Sequence, residues 1–231
     1  DLIRSKKFKV ALDCANGAGA VLAPQFLDAL GCRKVLINDV PDGSFAHQPE
    51  PLPENIAGLC RTVVEQGADV GFVQDADADR LAVVDEKGEP LGEEMTLILA
   101  SRHVLSKNPG AVVVNLSTSQ AMDDLAREFK VPIFRTKIGE INVVEKILAL
   151  EGKTAIAGEG NGGVILPRIH PCRDSFTAMG LILESMASSG KRVSERQQQV
   201  PKYYMIKDRI DGTQEEAFGI IRQLKKKYSS Q

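Results

Sequence analysis

A chain of 231 residues with 43% hydrophobic content can hold one or two domains with a proper core. Lys and Arg number 29 against 31 Asp and Glu, a net charge of −2. No basic surface therefore points to nucleic acid or to an acidic membrane, and no apolar run is long enough to span a bilayer.

The chain opens on Asp1 without a methionine or a signal-peptide pattern, and reads as a piece of a longer protein. FKVALD, 8–13, reads as a buried strand, followed by a glycine-bearing turn and a helix over 20–30 that stops at Gly31. KVLIN, 34–38, is the next strand. PDGSFAHQPEPLPEN, 41–55, is a long proline-rich loop leading into a helix that ends at Gly67. GADVGFVQ, 67–74, is a strand, and RLAVVDEKGEPL, 80–91, is a hairpin turning at Lys87-Gly88. A second unit repeats the pattern. Helices are predicted over 93–107, 119–130, 140–150 and 174–188, with strands at 111–116, 131–136, 154–160 and 163–167. The tail from Pro201 has a strand-like start and a basic, helical end, as if opening a further domain. The fold class is α/β, with two similar units carrying mixed sheets side by side. The expected boundaries are 1–91, 92–200 and a linker at 201–231. Ligands of open α/β sheets bind outside the carboxyl ends of strands. VGFVQDADADR and AIAGEGNGGV each put an acidic, small-residue loop at such an end, which predicts one shared cleft.

QDADADR, 74–80, carries the sharpest chemistry. At about 5 Å, two carboxylates repel by roughly 0.8 kcal/mol in water and several-fold more in a drier site. An i, i+2, i+4 spacing on an extended segment would put Asp75, Asp77 and Asp79 on one face. Such an oxygen-rich set suits Mg²⁺, Mn²⁺ or Ca²⁺; the plain alternative is a solvated acidic loop. An EF-hand is excluded. Asp75, Asp77, Asp79 and Glu86 fit its ligand positions, but Arg80 stands where the turn needs glycine, and strands flank the loop. Arg80 beside the triad either neutralises it or awaits an anion such as phosphate, which a guanidinium binds through two donors. The stretch alone predicts metal-assisted phosphoryl chemistry.

DADADR resembles the metal-binding DGDGDR loop of the α-D-phosphohexomutases, the family of phosphoglucomutase, phosphomannomutase and phosphoglucosamine mutase. DCANGAGA (13–20), PDGSFAHQPEPLPEN (41–55) and GADVGFVQDADADRLAVVDEKG (67–88) are similar to that family's second domain. RTKIGE (135–140), GEGNGGV (158–164) and RDSFTAMGLILE (173–184) are similar to its third. The resemblance implies that Asp75, Asp77 and Asp79 hold Mg²⁺ and that Arg80, the catalytic candidate, contacts the sugar phosphate or a phosphoserine. It implies that Glu159 reads hexose hydroxyls, with Asn161 where most members carry serine. Lys137 and Gly139 would face the sugar, and Arg173 would support the sugar or phosphate unless Arg173-Asp174 is only a helix cap. Glu140 stands where other members carry histidine or aspartate. Ser117 stands where some carry a lysine proposed as base.

The family's phosphoserine loop and its fourth-domain phosphate loop are not found in this sequence, so no nucleophile is assigned. The chain therefore reads as domains two and three of a cytoplasmic mutase. The parent would interconvert hexose 1-phosphate and hexose 6-phosphate, with a hexose 1,6-bisphosphate as intermediate and activator. The competing reading is a non-catalytic metal- or sugar-phosphate-binding module. A dinucleotide site is weaker, because Leu22 takes the last glycine position of the turn begun by Gly17-Ala18-Gly19. Cys14, Cys32, Cys60 and Cys172 lack CxxC spacing and read as buried, reduced thiols. His47, His103 and His170 lack metal-ligand spacing and read as surface or packing residues.

Overall fold

A computed structural model gives the fold, and residues 1–204 and 212–228 are described. The first sheet holds β1 (Lys9–Asp13), β2 (Arg33–Ile37), β3 (Val70–Gln74) and β4 (Leu81–Val84) in the order β2-β1-β3-β4. β1 runs parallel to β2 and β3, and β4 folds back antiparallel to β3. The second sheet repeats this with β5 (Ala111–Asn115), β6 (Ile133–Thr136), β7 (Thr154–Glu159) and β8 (Gly163–Ile165) in the order β6-β5-β7-β8. Again the last strand alone is antiparallel. The chain is α/β with two similar mixed sheets.

The helices are α1 (Leu2–Lys6), α2 (Ala23–Ala29), α3 (Ala57–Gln66), α4 (Glu93–Lys107), α5 (Ala121–Glu128), α6 (Glu140–Ala149), α7 (Ser175–Ser189), α8 (Val193–Gln197) and α9 (Gln214–Lys227). The helix expected over 20–30 is shorter. A 3-10 turn at Ala18–Val21 comes first, and Pro24 lies in the first turn of α2, where a missing N–H costs nothing. The strand expected from 67 begins at Val70, because Gly67 adopts a left-handed φ of 58° and closes α3. The strand-like start of the tail lies largely outside the described residues. Its basic end forms α9, capped by Thr213.

β3 and β5 are buried along their whole length, as central strands with covered faces must be. α4 and α7 are mostly buried too, because they lie between the two sheets. One continuous core joins Phe72 and Val83 of the first sheet to Val112 and Ile156 of the second through Leu97 of α4 and Met179 of α7. The outer faces are closed by α3 over Ala11 and Val73, and by α6 over Val113 and Ala157. The thiols correct the uniform expectation. Cys14 and Cys32 are buried, and burial pushes them up to about 12 and about 11. Cys60 is half-buried, and Cys172 is exposed on the loop before α7.

Glycine at position 158 is demanded by packing. A Cβ there would lie 2.2 Å from the Gly163 carbonyl oxygen and 2.7 Å from Leu97 Cδ1. At Gly180, inside α7, a Cβ would meet only Phe26 Cζ at 3.8 Å. Gly158→Ala is therefore expected to destabilise by about 1–3 kcal/mol through overpacking. Gly180→Ala is expected to stabilise by about 0.5–1 kcal/mol through helix propensity. Denaturant unfolding of the two variants checks the opposite signs.

Candidate active site between the two sheets

The carboxyl ends of β3 and β7 face one cleft. Turn contacts bring them together. Leu81 N–H donates to the Gly162 carbonyl at 3.1 Å. Ser175 at the start of α7 donates through Oγ to the Ala78 carbonyl at 2.6 Å and accepts from Gln74 Nε2 at 2.8 Å. Ala18 N–H donates to the Ala76 carbonyl at 2.9 Å, and a Cβ on Gly17 would sit 2.4 Å from that oxygen. The glycines of the 13–20 stretch thus let the backbone approach the aspartate loop.

The aspartate loop is a turn, which corrects the extended reading. Ala78 takes a left-handed φ of 61°, and its N–H donates to the Asp75 carbonyl at 3.2 Å. Folding rather than pleating brings Asp75, Asp77 and Asp79 together, with one oxygen from each within 4.8 Å of the others. Asp75 is buried, Asp79 half-buried and Asp77 exposed. Among the described residues this is the one such cluster of potential ligands. Glu86 lies apart, accepting from Ser194 Oγ at 2.5 Å, which agrees with the exclusion of an EF-hand. Burial, then the charge of Asp75, pushes the Asp79 carboxyl up to about 6 against the opposing pull of Arg173. A set of carboxylate oxygens is what a hard divalent cation requires, so the residues present fit Mg²⁺. Arg80 lies on this triad. Its Nε donates to Asp75 Oδ2 at 2.5 Å and lies 3.8 Å from Asp79, while Nη1 reaches toward Glu50 at 4.0 Å.

Glu159 ends β7 and is 4% exposed at its side chain. Its Oε1 accepts from Asn115 Nδ2 at 2.7 Å and from Gly139 N–H at 3.0 Å, and its Oε2 accepts from Arg173 Nη1 at 2.8 Å. Gly139 can present its N–H because it holds φ 109°, a region that L side chains rarely adopt. Arg173 also binds Asp79 through Nη2, and Glu140 accepts its backbone N–H at 2.6 Å. Arg173-Asp174 therefore divides its work: Asp174 caps α7 through Phe176 N–H and Thr177 N–H, and Arg173 turns into the cleft. Asn161 Oδ1 accepts from Gly163 N–H at 3.3 Å, so its oxygen serves the β7–β8 turn. Lys137 is exposed at the rim. A cavity of about 690 Å³ opens beside Asp77, Asp79 and Arg173.

Three supporting residues escaped the sequence reading. Asn115, Gln74 and Asp13 are buried polar residues that each end a strand. A polar residue closing an apolar run at a carboxyl end is the signal that could have found them. Asn115 orients Glu159 while accepting from Ser117 Oγ and Thr118 Oγ1. Asp13 accepts from Asn38 Nδ2 at 3.0 Å and lies 3.0 Å from His47 Nε2, so His47 ties the proline-rich loop to β1.

The chain is an α/β protein with an acidic triad and a buried glutamate across one cleft. Comparison with known proteins makes this specific. The model of phosphoglucomutase/phosphomannomutase α/β/α domain II matches residues 1–88, and that of domain III matches residues 92–204. The chain belongs to the phosphoglucomutase/phosphomannomutase family. A phosphoglucomutase/phosphomannomutase of Thermococcus kodakarensis is 37% identical, over 98% of this chain and 50% of its own length. A Methanopyrus kandleri relative, provisionally named a phosphoglucosamine mutase, is 35% identical over 88% of this chain and 45% of its own length. The chain thus spans about half the length of these curated relatives. The crystal structure of a candidate phosphomannomutase from Thermus thermophilus superposes with a TM-score of 0.80 at 27% identity, over 86% of this chain and 46% of the other.

Asn115→Ala removes a donor from a buried carboxylate and strands the buried Thr118 hydroxyl. Leaving buried polar groups unpaired costs about 1–3 kcal/mol. Denaturant unfolding is expected to show a loss of that size, and Ser117→Ala, at a more exposed hydroxyl, a smaller one.

Proposed function

We propose that this chain is the metal- and sugar-binding half of a phosphohexomutase that interconverts hexose 1-phosphate and hexose 6-phosphate. Residues 1–91 form the metal-loop domain and 92–200 the sugar-loop domain, with 201–231 leading toward a further domain. One observation carries this reading: in a chain of this family, the aspartate triad and Glu159 face the same cleft and share Arg173. A sugar held by the second unit would present its phosphate to the first.

Asp75, Asp77 and Asp79 would hold Mg²⁺, which when bound supplies positive charge next to the moving phosphoryl group. Arg80 would exchange its hold on Asp75 for phosphate oxygens, stabilising the charge that spreads over them during transfer. Glu159 and Arg173, with Lys137, Gly139 and Asn161 at the rim, would orient the hexose hydroxyls. The mutase cycle also needs a nucleophile that carries the phosphoryl group between the two ends of the sugar. It needs a clamp on the phosphate that is not reacting. A phosphoserine and a further phosphate loop, from sequence outside this chain, would fill those roles, with hexose 1,6-bisphosphate as intermediate and activator.

Calorimetry with Mn²⁺ is expected to show binding to the chain that falls at least about tenfold in Asp77→Asn, a loss of about 1.4 kcal/mol or more. Equal binding by the two would refute the metal assignment. Binding should also weaken from pH 7.5 to pH 5.5, because below about 6 the Asp79 carboxyl keeps a proton that the cation must displace. In coupled assays, the 231-residue chain is expected to be inactive on glucose 1-phosphate and mannose 1-phosphate with Mg²⁺. The same residues within a full-length enzyme should turn over, and Glu159→Gln should cost about 1.5–3 kcal/mol, the worth of a charge-assisted hydrogen bond.

A further inference from the structure

Arg173 makes contacts that a simple substrate ligand would not need. Its guanidinium joins the two halves of the cleft, binding Asp79 through Nη2 and Glu159 Oε2 through Nη1 at 2.8 Å. Its Nε lies 3.7 Å from Glu140 Oε2, and that buried N–H has no hydrogen-bond partner. The stem is fixed. Its Cδ lies where a Cβ on Gly163 would stand, 2.3 Å away, and its backbone N–H is held by Glu140 Oε1 at 2.6 Å. The side chain is 18% exposed. Arg80 makes all its ion pairs within the first unit.

We infer that Arg173 is a positioning residue that competes with a divalent cation for Asp79, so that metal loading hands its guanidinium over to Glu159 and Glu140. The inference rests on the metal-site reading proposed above. An Asp79 oxygen that ligates a cation has less charge to offer a guanidinium, and two cations on one carboxylate repel. A short movement lets Arg173 keep Glu159 and close the 3.7 Å gap from Nε to Glu140. The aspartate loop would thereby report its occupancy to the sugar loop. The coupling is reciprocal, so whatever draws Arg173 toward Glu159 raises metal affinity.

The test uses binding and spectroscopy, not turnover. Mn²⁺ calorimetry on the wild-type chain and Arg173→Met is expected to show metal bound several-fold more tightly by the variant, because the competing cation is gone. Arg173→Lys, which keeps the charge, should stay near wild type. In the wild-type chain, the ¹⁵Nε–¹H signal of Arg173, assigned through Arg173→Lys, should move on Mg²⁺ saturation and stay still in Asp79→Asn. Equal or weaker binding by Arg173→Met, or an Arg173 signal indifferent to Mg²⁺ in a chain that binds it, overturns the coupling and leaves the metal site standing. A wild-type chain that binds neither metal overturns the metal site itself, and the coupling with it.

Discussion

Crowded negative charge is the constraint on which the cleft depends. Asp75, Asp77, Asp79, Glu140 and Glu159 meet between the sheets, and Arg80 and Arg173 are the guanidinium groups that answer them. Each arginine is spent on more than one carboxylate. At Asp79, burial and then the charge of Asp75 push the carboxyl up to about 6 even with Arg173 bound to it. In a half-buried site, solvent screens such repulsion less than at the surface. A cation would relieve it, and a phosphate would then find positive charge already organised.

Backbone proximity makes that crowding possible. The two loops belong to different sheets, yet they are stitched by Leu81 to Gly162 and by Ser175 to Ala78. Glycines allow the approach. A Cβ on Gly162 would stand 2.6 Å from the Leu81 carbonyl. Beneath the loops, α4 and α7 run through one core shared by both sheets. The loops are thus anchored to a common base, and the distances between their charges are set by packing.

Much of this was legible in the sequence. Strand and helix order followed from period and from glycine stops, because buried parallel strands read as apolar runs. The aspartates were visible as an oxygen-rich set at the end of a buried strand, and Glu159 through the resemblance of its loop to the family's sugar loop. The convergence of the aspartates was right and its mechanism wrong: alternation suggested a pleated face, and Ala78 folds the segment into a turn instead. Arg173 was legible only as an alternative to a helix cap. Sequence spacing cannot show that it reaches Asp79, 94 positions away. Asn115 went unnoticed because its role lies in a partner 44 residues further on.

Ala78 shows how the site is held. The resembling family loop, DGDGDR, has glycine where this chain has Ala76 and Ala78. A left-handed alanine costs roughly 1–2 kcal/mol, which glycine would not incur. The surrounding structure maintains it: the Ala78 carbonyl accepts from Ser175 Oγ at 2.6 Å and from Ser175 N–H at 3.3 Å, and its own N–H donates to Asp75. Two hydrogen bonds from the start of α7 thus oppose relaxation of the turn. Ser175 in turn is held by Gln74, at the end of the strand that delivers the loop. The strain is borne by contacts between the two units, and the same contacts fix where the triad stands relative to Glu159. Alanine also leaves this loop fewer accessible conformations than glycine would. The metal loop is therefore shaped by its neighbour across the cleft as much as by its own sequence.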